Sequence, residues 1–367
     1  MAPLSVYIHI PFCKSKCNYC SFTSFVNQDK KKGYLYSLLK EIDSYNPSEF
    51  LNTLYIGGGT PSIIEPEMLY KIYNKFNFQE NSERTIEVNP NDVTKSYMSE
   101  LHDIGFNRIS MGAQSFDDTI LEQIGRRHNS HDIYSAVEII KEAGFDNISL
   151  DLIYGLPNQS IEGFKHDLTE VINLKIPHLS LYGLKIDEGC TFYKNPPQNL
   201  PSDDIQADMY LLAGEITREN GFEHYEISNY SLKNYHSRHN TNYWNCGEYY
   251  GFGVSAHGFI DGIRYSNTSD LEKYLNNPIE HEFGKFLTNQ EKLEERIFLG
   301  FRLSKGLNIN DINKDFNIDF KKKYTNVIDK YCSLGYIEET PFGYKLSDTK
   351  EHNGFLVSNI ILSEFLE

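Results

Sequence analysis

Three cysteines near the N-terminus have the spacing of metal ligands. Cys13, Cys17 and Cys20 form the pattern C-x3-C-x2-C, and no fourth cysteine follows closely. Because iron–sulfur clusters are bound through Cys sulfur, three thiolates can hold three irons of a [4Fe–4S] cluster and leave the fourth iron open to a small molecule. A zinc knuckle is the alternative, but structural zinc takes four Cys or His ligands, usually in two pairs. The remaining cysteines are isolated in the sequence: Cys190, Cys246 and Cys332. The spacing therefore predicts an open iron–sulfur cluster.

Short runs rich in β-branched residues alternate with segments of helical periodicity over the first half of the chain. The predicted strands are Leu4–Ile10, Thr53–Gly57, Thr85–Val88, Arg108–Met111, Ile148–Ile153 and His178–Leu184. The predicted helices are Gly33–Tyr45, Glu65–Phe76, Ser96–Ile104, Asp117–Ile124, His131–Ala143 and Ile161–Leu174. Such alternation implies right-handed βαβ crossovers, so we expect an α/β fold with a parallel sheet and a partial barrel.

Polar residues follow these strands where each strand ends. The cysteine triplet follows the first strand, and Gly57 to Thr60 follow the second. Since the carboxyl ends of parallel strands gather at one mouth, residues at those ends can converge on one ligand. A lone Asp at a strand end is more often a cap or turn residue. Taken together with the triplet, four further residues predict a ligand pocket: Glu87, Gln114, Arg126 and Asp151.

The segments Tyr7–Cys13 (YIHIPFC) and Gly57–Pro61 (GGGTP) resemble the radical S-adenosylmethionine (SAM) superfamily, and more narrowly its oxygen-independent coproporphyrinogen III oxidase-like branch. The resemblance implies a (β/α)6 partial barrel. It also implies that the amino and carboxylate groups of SAM chelate the open iron, and that an electron from the cluster cleaves SAM to a 5′-deoxyadenosyl radical. The implied SAM-binding residues are Tyr7, Tyr19, Gly58, Gly59, Thr60, Glu87, Gln114, Arg126 and Asp151. Chemically, Arg126 suits a bidentate carboxylate contact, and acidic side chains suit a diol.

Two departures from the oxidase pattern and one further motif indicate the heme chaperone relatives of that family, the HemW group. The oxidases carry a further cysteine where this chain has Phe22, and a longer segment ahead of the cluster than the twelve residues before Cys13. Residues 239–244 (HNTNYW) contain the only tryptophan and resemble the chaperones' H-N-x-x-Y-W motif. The resemblance implies heme binding by His239, since neutral imidazole is a common axial ligand. The alternative is a buried His and Trp that fill a subdomain core. His257, in the glycine-rich run 249–258 that we interpret as a tight turn against the barrel, is the second choice.

The C-terminal part has a different pattern. Lys292–Leu303, Ile309–Phe316 and Phe320–Leu334 predict helices, and Gly335–Ser347 predicts a hairpin, which together give a winged-helix-like layout. We therefore expect a radical SAM core with a family-specific extension over residues 1–290 and a small α+β domain over residues 291–367. Residues 189–204, rich in Pro and Asn, predict a flexible connection.

The amino-acid composition limits the binding partners and the cellular location that we expect for the protein. The net charge of −16 argues against nucleic acid. No apolar run reaches about 18 residues, and no leader of the signal-peptide type is present. Six cysteines do not suggest a disulfide framework, so we expect a cytoplasmic protein.

The function expected from the sequence is that of a heme chaperone with a [4Fe–4S] cluster, SAM and heme. Its partners would be heme, heme-accepting (respiratory) proteins and a reductant such as flavodoxin or ferredoxin. Peripheral membrane association and a homodimer are left open. The alternative is an oxygen-independent coproporphyrinogen III oxidase that decarboxylates propionate side chains, so whether the protein is an enzyme is also left open.

Overall fold

A computed structural model describes residues 4–45 and 50–366 of the 367-residue chain. The outer ends of the two expected domains, at residues 1 and 367, lie outside the described residues. Six neighbouring strands run parallel, in chain order: β1 (Leu4–Ile10), β2 (Phe50–Gly58), β3 (Asn77–Val88), β4 (Arg108–Gln114), β5 (Ile148–Tyr154) and β6 (His178–Gly183). All six predicted strands are confirmed; β2, β3, β4 and β5 are longer than predicted, and β6 is one residue shorter.

Helices connect these strands as the sequence predicts. They are α1 (Lys31–Tyr45), α2 (Pro66–Tyr73), α3 (Lys95–Ile104), α4 (Asp118–Gln123), α5 (Ser130–Glu142) and α6 (Ile161–Asn173). Short 3-10 helices add Pro61–Ile63 after β2 and Pro90–Asp92 after β3. Side-chain caps mark several N-termini, with Thr94 capping α3 and Ser160 capping α6.

The two faces of the parallel sheet differ in chemistry. On β1, Val6, Ile8 and Ile10 are fully buried in the main hydrophobic core. Because side chains alternate along a strand, the residues between them face the other way, and Ser5 there accepts a hydrogen bond from Thr53 (2.8 Å). The outer face packs under the helices, and the inner face is a polar lumen.

Further strands extend the sheet beyond the six that were predicted. α7 (Thr191–Lys194), α8 (Asp203–Glu219), β7 (Glu223–Glu226), β8 (Asn229–Ser231) and α9 (Arg238–Trp244) follow β6. Then come β9 (Tyr249–Phe252), β10 (His257–Ile260), β11 (Ile263–Asn267), α10 (Leu271–Asn276) and β12 (His281–Phe286). The sheet order is β12-β11-β10-β9-β1-β2-β3-β4-β5-β6-β8-β7. The run after Trp244, interpreted as a turn, therefore begins with a strand, β9, that pairs in parallel with β1. A turn follows at Gly253 (φ 100°).

The C-terminal part has a second apolar core, which Tyr210 of α8 also joins. Its elements are α11 (Asn289–Arg302), β13 (Leu307–Asn308), α12 (Ile309–Phe316), α13 (Phe320–Lys323), α14 (Thr325–Ser333), β14 (Ile337–Thr340), β15 (Gly343–Leu346) and α15 (Ser358–Ser363). The hairpin β14–β15 was predicted, and β13 adds a third antiparallel strand to it. The single helix predicted over Phe320–Leu334 is two helices, interrupted at Tyr324.

The segment at residues 189–204 is attached to the barrel. It contains α7, and the backbone N–H of Phe192 donates to the carbonyl of Asn18 in the cysteine loop (2.9 Å). No helix within residues 4–45 and 50–366 is long and apolar enough to cross a membrane.

Candidate functional site

A cavity of about 590 Å³ opens at the carboxyl ends of the parallel strands and continues into the lumen. Most of the predicted site residues line it together. They are Cys13, Cys17, Tyr19, Cys20, Gly58, Gly59, Thr60, Glu87, Gln114, Arg126 and Asp151. Two predicted residues, Tyr7 and His239, do not line it.

The cysteine loop between β1 and α1 is held from several sides. Within the loop, the backbone N–H of Cys13 donates to the carbonyl of Phe25 (3.1 Å), and that of Asn18 donates to Ile124 (2.9 Å) after α4. The side chain of Thr60 donates to the Sγ of Cys13 (3.4 Å). These contacts bring the end of β1, the glycine loop after β2 and the segment after α4 to one place.

The three thiols share the cavity without meeting at one point. Within the described part of the chain, no three His, Cys, Asp or Glu side chains converge on a single metal ion. A cluster takes its thiolates on separate irons, so thiols that line a common space suit it better than they suit one ion. Burial raises the pKa of the Cys13 and Cys20 thiols.

The glycine loop makes room beside the thiols. A Cβ on Gly59 would lie 3.0 Å from the Sγ of Cys13 and 2.8 Å from the carbonyl oxygen of Phe12. Gly58 has a φ of 116° and lies against the ring of His9. Only glycine avoids both clashes, so the backbone can approach a ligand held at the thiols. The residues present therefore fit an open cluster with a small molecule beside it.

Glu87 is fixed beneath this loop. The hydroxyl of Tyr55 donates to Glu87 Oε1 (2.7 Å), and the backbone N–H of Gly58 donates to Oε2 (3.0 Å). Burial raises the pKa of Glu87 to about 7, against the opposing effect of the Tyr55 hydrogen bond. A carboxylate placed in this way can accept a hydrogen bond from a ligand and titrates near neutral pH.

Arg126 is anchored by oxygen acceptors and points at the cysteine loop. Its Nη2 donates to Asn89 Oδ1 (2.8 Å) and to the carbonyl of Gly112 (2.6 Å), and its Nη1 lies 3.5 Å from Cys17 Sγ. Asn89 in turn donates to Thr60 Oγ1 (3.2 Å). The guanidinium thus joins the ends of β3 and β4 to the thiols.

Asp151 and Gln114 also line the cavity at the carboxyl ends of the strands. The hydroxyl of Ser110 donates to both oxygens of Asp151 (3.3 and 3.4 Å). Burial raises the pKa of Asp151 to about 6, while Ser180 and Arg108 act in the opposite direction. Gln114 has a φ of 70° where the register between β4 and β5 shifts, which turns its side chain into the cavity wall.

Sequence reasoning missed several polar residues of the site. They are Tyr55, Asn89, Arg108, Ser110 and Ser180, which also line the cavity. The available signal was strand alternation, because residues two positions before a predicted site residue share its face. Tyr55 precedes Gly57 in this way.

Tyr7 lies behind the cavity wall. Its hydroxyl is 3.0 Å from Nδ1 of His9, and its ring lies 6.2 Å from that of Tyr55 and 6.5 Å from that of His239. Direct packing of Tyr7 beside SAM stays a prediction, and in this structure Tyr55 stands between Tyr7 and Glu87.

His239 lies at the floor of the lumen and is 1% exposed. Its Nδ1 is 2.7 Å from the hydroxyl of Thr53, and its Nε2 is 2.7 Å from the hydroxyl of Tyr243. Burial lowers the pKa of His239 to about 3, so the ring is neutral. Both ring nitrogens are engaged, and heme coordination by His239 therefore stays a prediction that this conformation does not satisfy.

The other residues proposed near heme also have contacts of their own. The guanidinium of Arg302 lies over the ring of Trp244 at 4.2 Å. Tyr243 packs edge-on against His239 at 4.8 Å between ring centroids. His257, the second choice, begins β10 and is exposed. These contacts agree with the alternative interpretation, in which the histidine and the aromatic residues pack the core of a subdomain.

Comparison with known proteins agrees with this fold and site. The Radical SAM superfamily model matches residues 7–171, and the HemN C-terminal domain model matches residues 287–349. The solved structure of coproporphyrinogen III oxidase from Escherichia coli superposes with a TM-score of 0.87 at 22% identity, covering 100% of this chain and 91% of the oxidase. The partial barrel with its cysteine loop is thus that of a radical SAM protein.

Curated relatives define the family more narrowly. The heme chaperone HemW of Lactococcus lactis is 36% identical over 99% of this chain and 97% of its own length. HemW of Bacillus subtilis is 32% identical over 99% of both chains. HemW of Escherichia coli is 34% identical over 80% of this chain and 79% of its own. The chain belongs to the HemW family.

Proposed function

We propose that the protein is a heme chaperone that binds a [4Fe–4S] cluster through Cys13, Cys17 and Cys20, holds SAM in the adjoining cavity and carries heme to acceptor proteins. The observation that carries this proposal is the match to the HemW of Lactococcus lactis over nearly the full length of both chains. A reductant such as flavodoxin or ferredoxin, and respiratory proteins as heme acceptors, belong to the same proposal.

The residues around the cavity would have separate roles in binding the cluster and SAM. A bound cluster would supply an electron to SAM. Arg126 would keep the cysteine loop in place through Cys17, while its anchors Asn89 and Gly112 prevent the guanidinium from swinging away. Glu87 and Asp151 offer carboxylate oxygens, which suit the ammonium and hydroxyl groups of SAM. Gly58 and Gly59 leave the space that this ligand needs.

Heme coordination by His239 would need a local rearrangement. The imidazole must leave both Thr53 and Tyr243. It must also turn away from the ring of Tyr55, on which it stacks at 5.1 Å. The first turn of α9 is held by Glu83, which accepts hydrogen bonds from the backbone N–H groups of Arg238 and His239. We therefore propose that heme binding at this motif opens α9 away from β2 and β3.

A hemin titration of the anaerobically reconstituted protein tests this function. Wild type should give a saturable Soret band at one heme per chain, and His239→Ala should lose it while keeping the cluster absorbance. His257→Ala tests the second choice, and His166→Ala, at an exposed position on α6, is the control. No saturable binding in the wild type would contradict the chaperone function. Binding that survives in His239→Ala would keep the function and remove His239 as the ligand.

The oxidase alternative has its own assay. Carbon dioxide release from coproporphyrinogen III under reducing anaerobic conditions, with turnover that depends on SAM, would contradict a chaperone that only carries heme. We expect no such turnover.

A further inference from the structure

Arg108 is a buried cation whose guanidinium has no hydrogen-bond or ion-pair partner among the described residues. It begins β4, is 2% exposed and is the largest of the fully buried side chains among the described residues. Its side chain nevertheless lines the cavity. Its Nε has no hydrogen-bond partner, and within residues 4–45 and 50–366 no ion pair or side-chain hydrogen bond engages its guanidinium.

The other two arginines that line the cavity have partners for their guanidinium groups. The Nε of Arg126 is also without a hydrogen-bond partner, but its Nη2 donates to two oxygen acceptors. Arg127 pairs with Asp92 at 3.4 Å. A buried charge is costly unless it is paired and hydrogen-bonded. The guanidinium of Arg108 is therefore suited to pair with an anionic group of a ligand.

Among the residues that the structure describes, no carboxylate forms an ion pair with Arg108. Glu83 is occupied by the backbone N–H groups of Arg238 and His239, and Glu87 by Tyr55 and Gly58. Asp151 is opposite Gly112 in the β4–β5 register, four residues further along β4 than Arg108. The Asp151 carboxylate is held by the hydroxyl of Ser110, two residues along β4 from Arg108. The charge of Arg108 opposes the rise in the pKa of Asp151, but the two side chains form no ion pair. A ligand in the cavity that Arg108 lines could supply a directly hydrogen-bonded anion.

The depth of Arg108 separates it from the cluster. Arg108 is level with Thr85, Tyr55 and Tyr7 across the sheet, one inward-facing layer beneath Glu87. The cysteine loop lies beyond the far end of β1. A ligand group that reaches Arg108 must therefore extend below a molecule held at the thiols.

We propose that Arg108 binds a carboxylate of the ligand that occupies the lumen. Resting on the proposed function, we assign this carboxylate to a propionate of heme. A planar guanidinium binds a carboxylate through two parallel hydrogen bonds, and a neutral ester cannot replace the charge. The carboxylate of SAM is the other source of the same chemistry, and it is expected at the open iron, above Arg108.

The test compares hemin with hemin dimethyl ester on the reconstituted full-length protein, in wild type, Arg108→Gln and Arg108→Lys. Arg218→Gln, in an exposed ion pair with Asp348, controls for the loss of one positive charge. Wild type should prefer hemin over the ester. Arg108→Gln should lose about tenfold or more in hemin affinity, as expected for a hydrogen-bonded charge pair, and should no longer distinguish the two ligands. Arg108→Lys, which keeps the charge but not the planar fork, should be intermediate.

Three other results would overturn the assignment of Arg108 to a heme propionate. Unchanged hemin affinity and unchanged ester discrimination in Arg108→Gln would overturn it. A loss of SAM affinity with intact hemin binding would assign the guanidinium to SAM and overturn the propionate assignment. If wild type binds hemin and the ester equally, the proposal fails while the heme chaperone function stands, and this comparison needs no variant to fold. Cluster absorbance and thermal melting show whether each variant is intact.

Discussion

The carboxylates of Glu87 and Asp151 face one cavity but are held differently. Glu87 accepts a phenol and a backbone N–H, whereas Asp151 accepts the hydroxyl of Ser110 and lies nearer the mouth. Burial raises both pKa values, to about 7 and about 6 respectively. At the scale of single residues, the site therefore contains two acids that change charge within the range of ordinary buffers.

The affinity for SAM should depend on the ionisation of Asp151. Because protonation removes the negative charge and turns one carboxyl oxygen into a donor, affinity should fall as pH drops through about 6. Asp151→Asn should bind SAM about tenfold more weakly at pH 7, because one charge-assisted hydrogen bond is lost. In this variant the affinity for SAM should no longer decrease near pH 6. Equilibrium dialysis between pH 5.5 and about pH 8 on the anaerobic protein measures this.

Other titrating or charged groups face Asp151, and their effects on the pH profile must be distinguished from that of Asp151. They are Glu87 on β3, Arg108 on β4, Arg126 after α4 and Tyr182 on β6. Glu87→Gln should keep the fall near pH 6 if Asp151 causes it. A pH profile in Asp151→Asn identical to wild type would contradict this role.

At the scale of elements, α6 determines how β4 ends. Asp167 on α6 is 1% exposed and accepts hydrogen bonds from the backbone N–H of Phe116 (2.7 Å) and the hydroxyl of Ser115 (2.9 Å). These residues directly follow Gln114, which has a φ of 70°. The helix thus fixes the turn that brings Gln114 to the cavity.

Asp167→Asn should destabilise this junction. The new amide group would place an N–H beside the donors that the carboxylate now accepts, so one of the donors loses its acceptor. We expect the free energy of unfolding to fall by about 1–3 kcal/mol. Urea unfolding measures it, with Asp103→Asn, at an exposed position of α3, as the matched control. Equal stability of the two variants would show that the contact is dispensable.

At the scale of the whole molecule, the C-terminal part is joined to the cavity wall. Arg302, at the end of α11, places its Nε 2.6 Å from Oε2 of Glu226, within ion-pair distance but not aligned as a hydrogen bond. Its Nη2 donates to the hydroxyl of Ser228 (3.1 Å), and its guanidinium covers Trp244. Ser228 lines the cavity. One side chain therefore connects the C-terminal core, the lumen wall and α9.

Arg302→Ala should be strongly destabilising, because the fully buried carboxylate of Glu226 would be left without its cation. We expect a loss of about 3 kcal/mol in the free energy of unfolding, typical of a broken buried pair. Arg218→Ala, in a pair that is 60% exposed on the arginine side, should cost at most about 1 kcal/mol. The single tryptophan, Trp244, lies under Arg302, so its fluorescence reports the same junction during unfolding. Similar losses in the two variants would contradict the buried-pair argument.

The alternation of strands and helices and the composition of the site were determined by the sequence itself. The six parallel strands follow from runs of β-branched residues, and the prediction of an open cluster follows from the spacing of Cys13, Cys17 and Cys20. Both are local patterns, which short windows of sequence contain. The strand-end rule then brought Glu87, Gln114 and Asp151 to one mouth, because parallel strands end at the same edge. Arg126 reaches the same mouth from the segment after α4.

Only the tertiary structure decided which polar groups are paired. His239 meets Thr53 across 186 positions of the chain, and this contact buries a ring that the motif had suggested for heme. Arg108 appears in the sequence as one more strand residue, and its lack of a partner becomes visible only when the lumen is assembled. Strand β9 joins the sheet beside β1 although more than 200 residues separate them. Such pairings depend on which distant segments meet, and no local pattern of residue types carries that information.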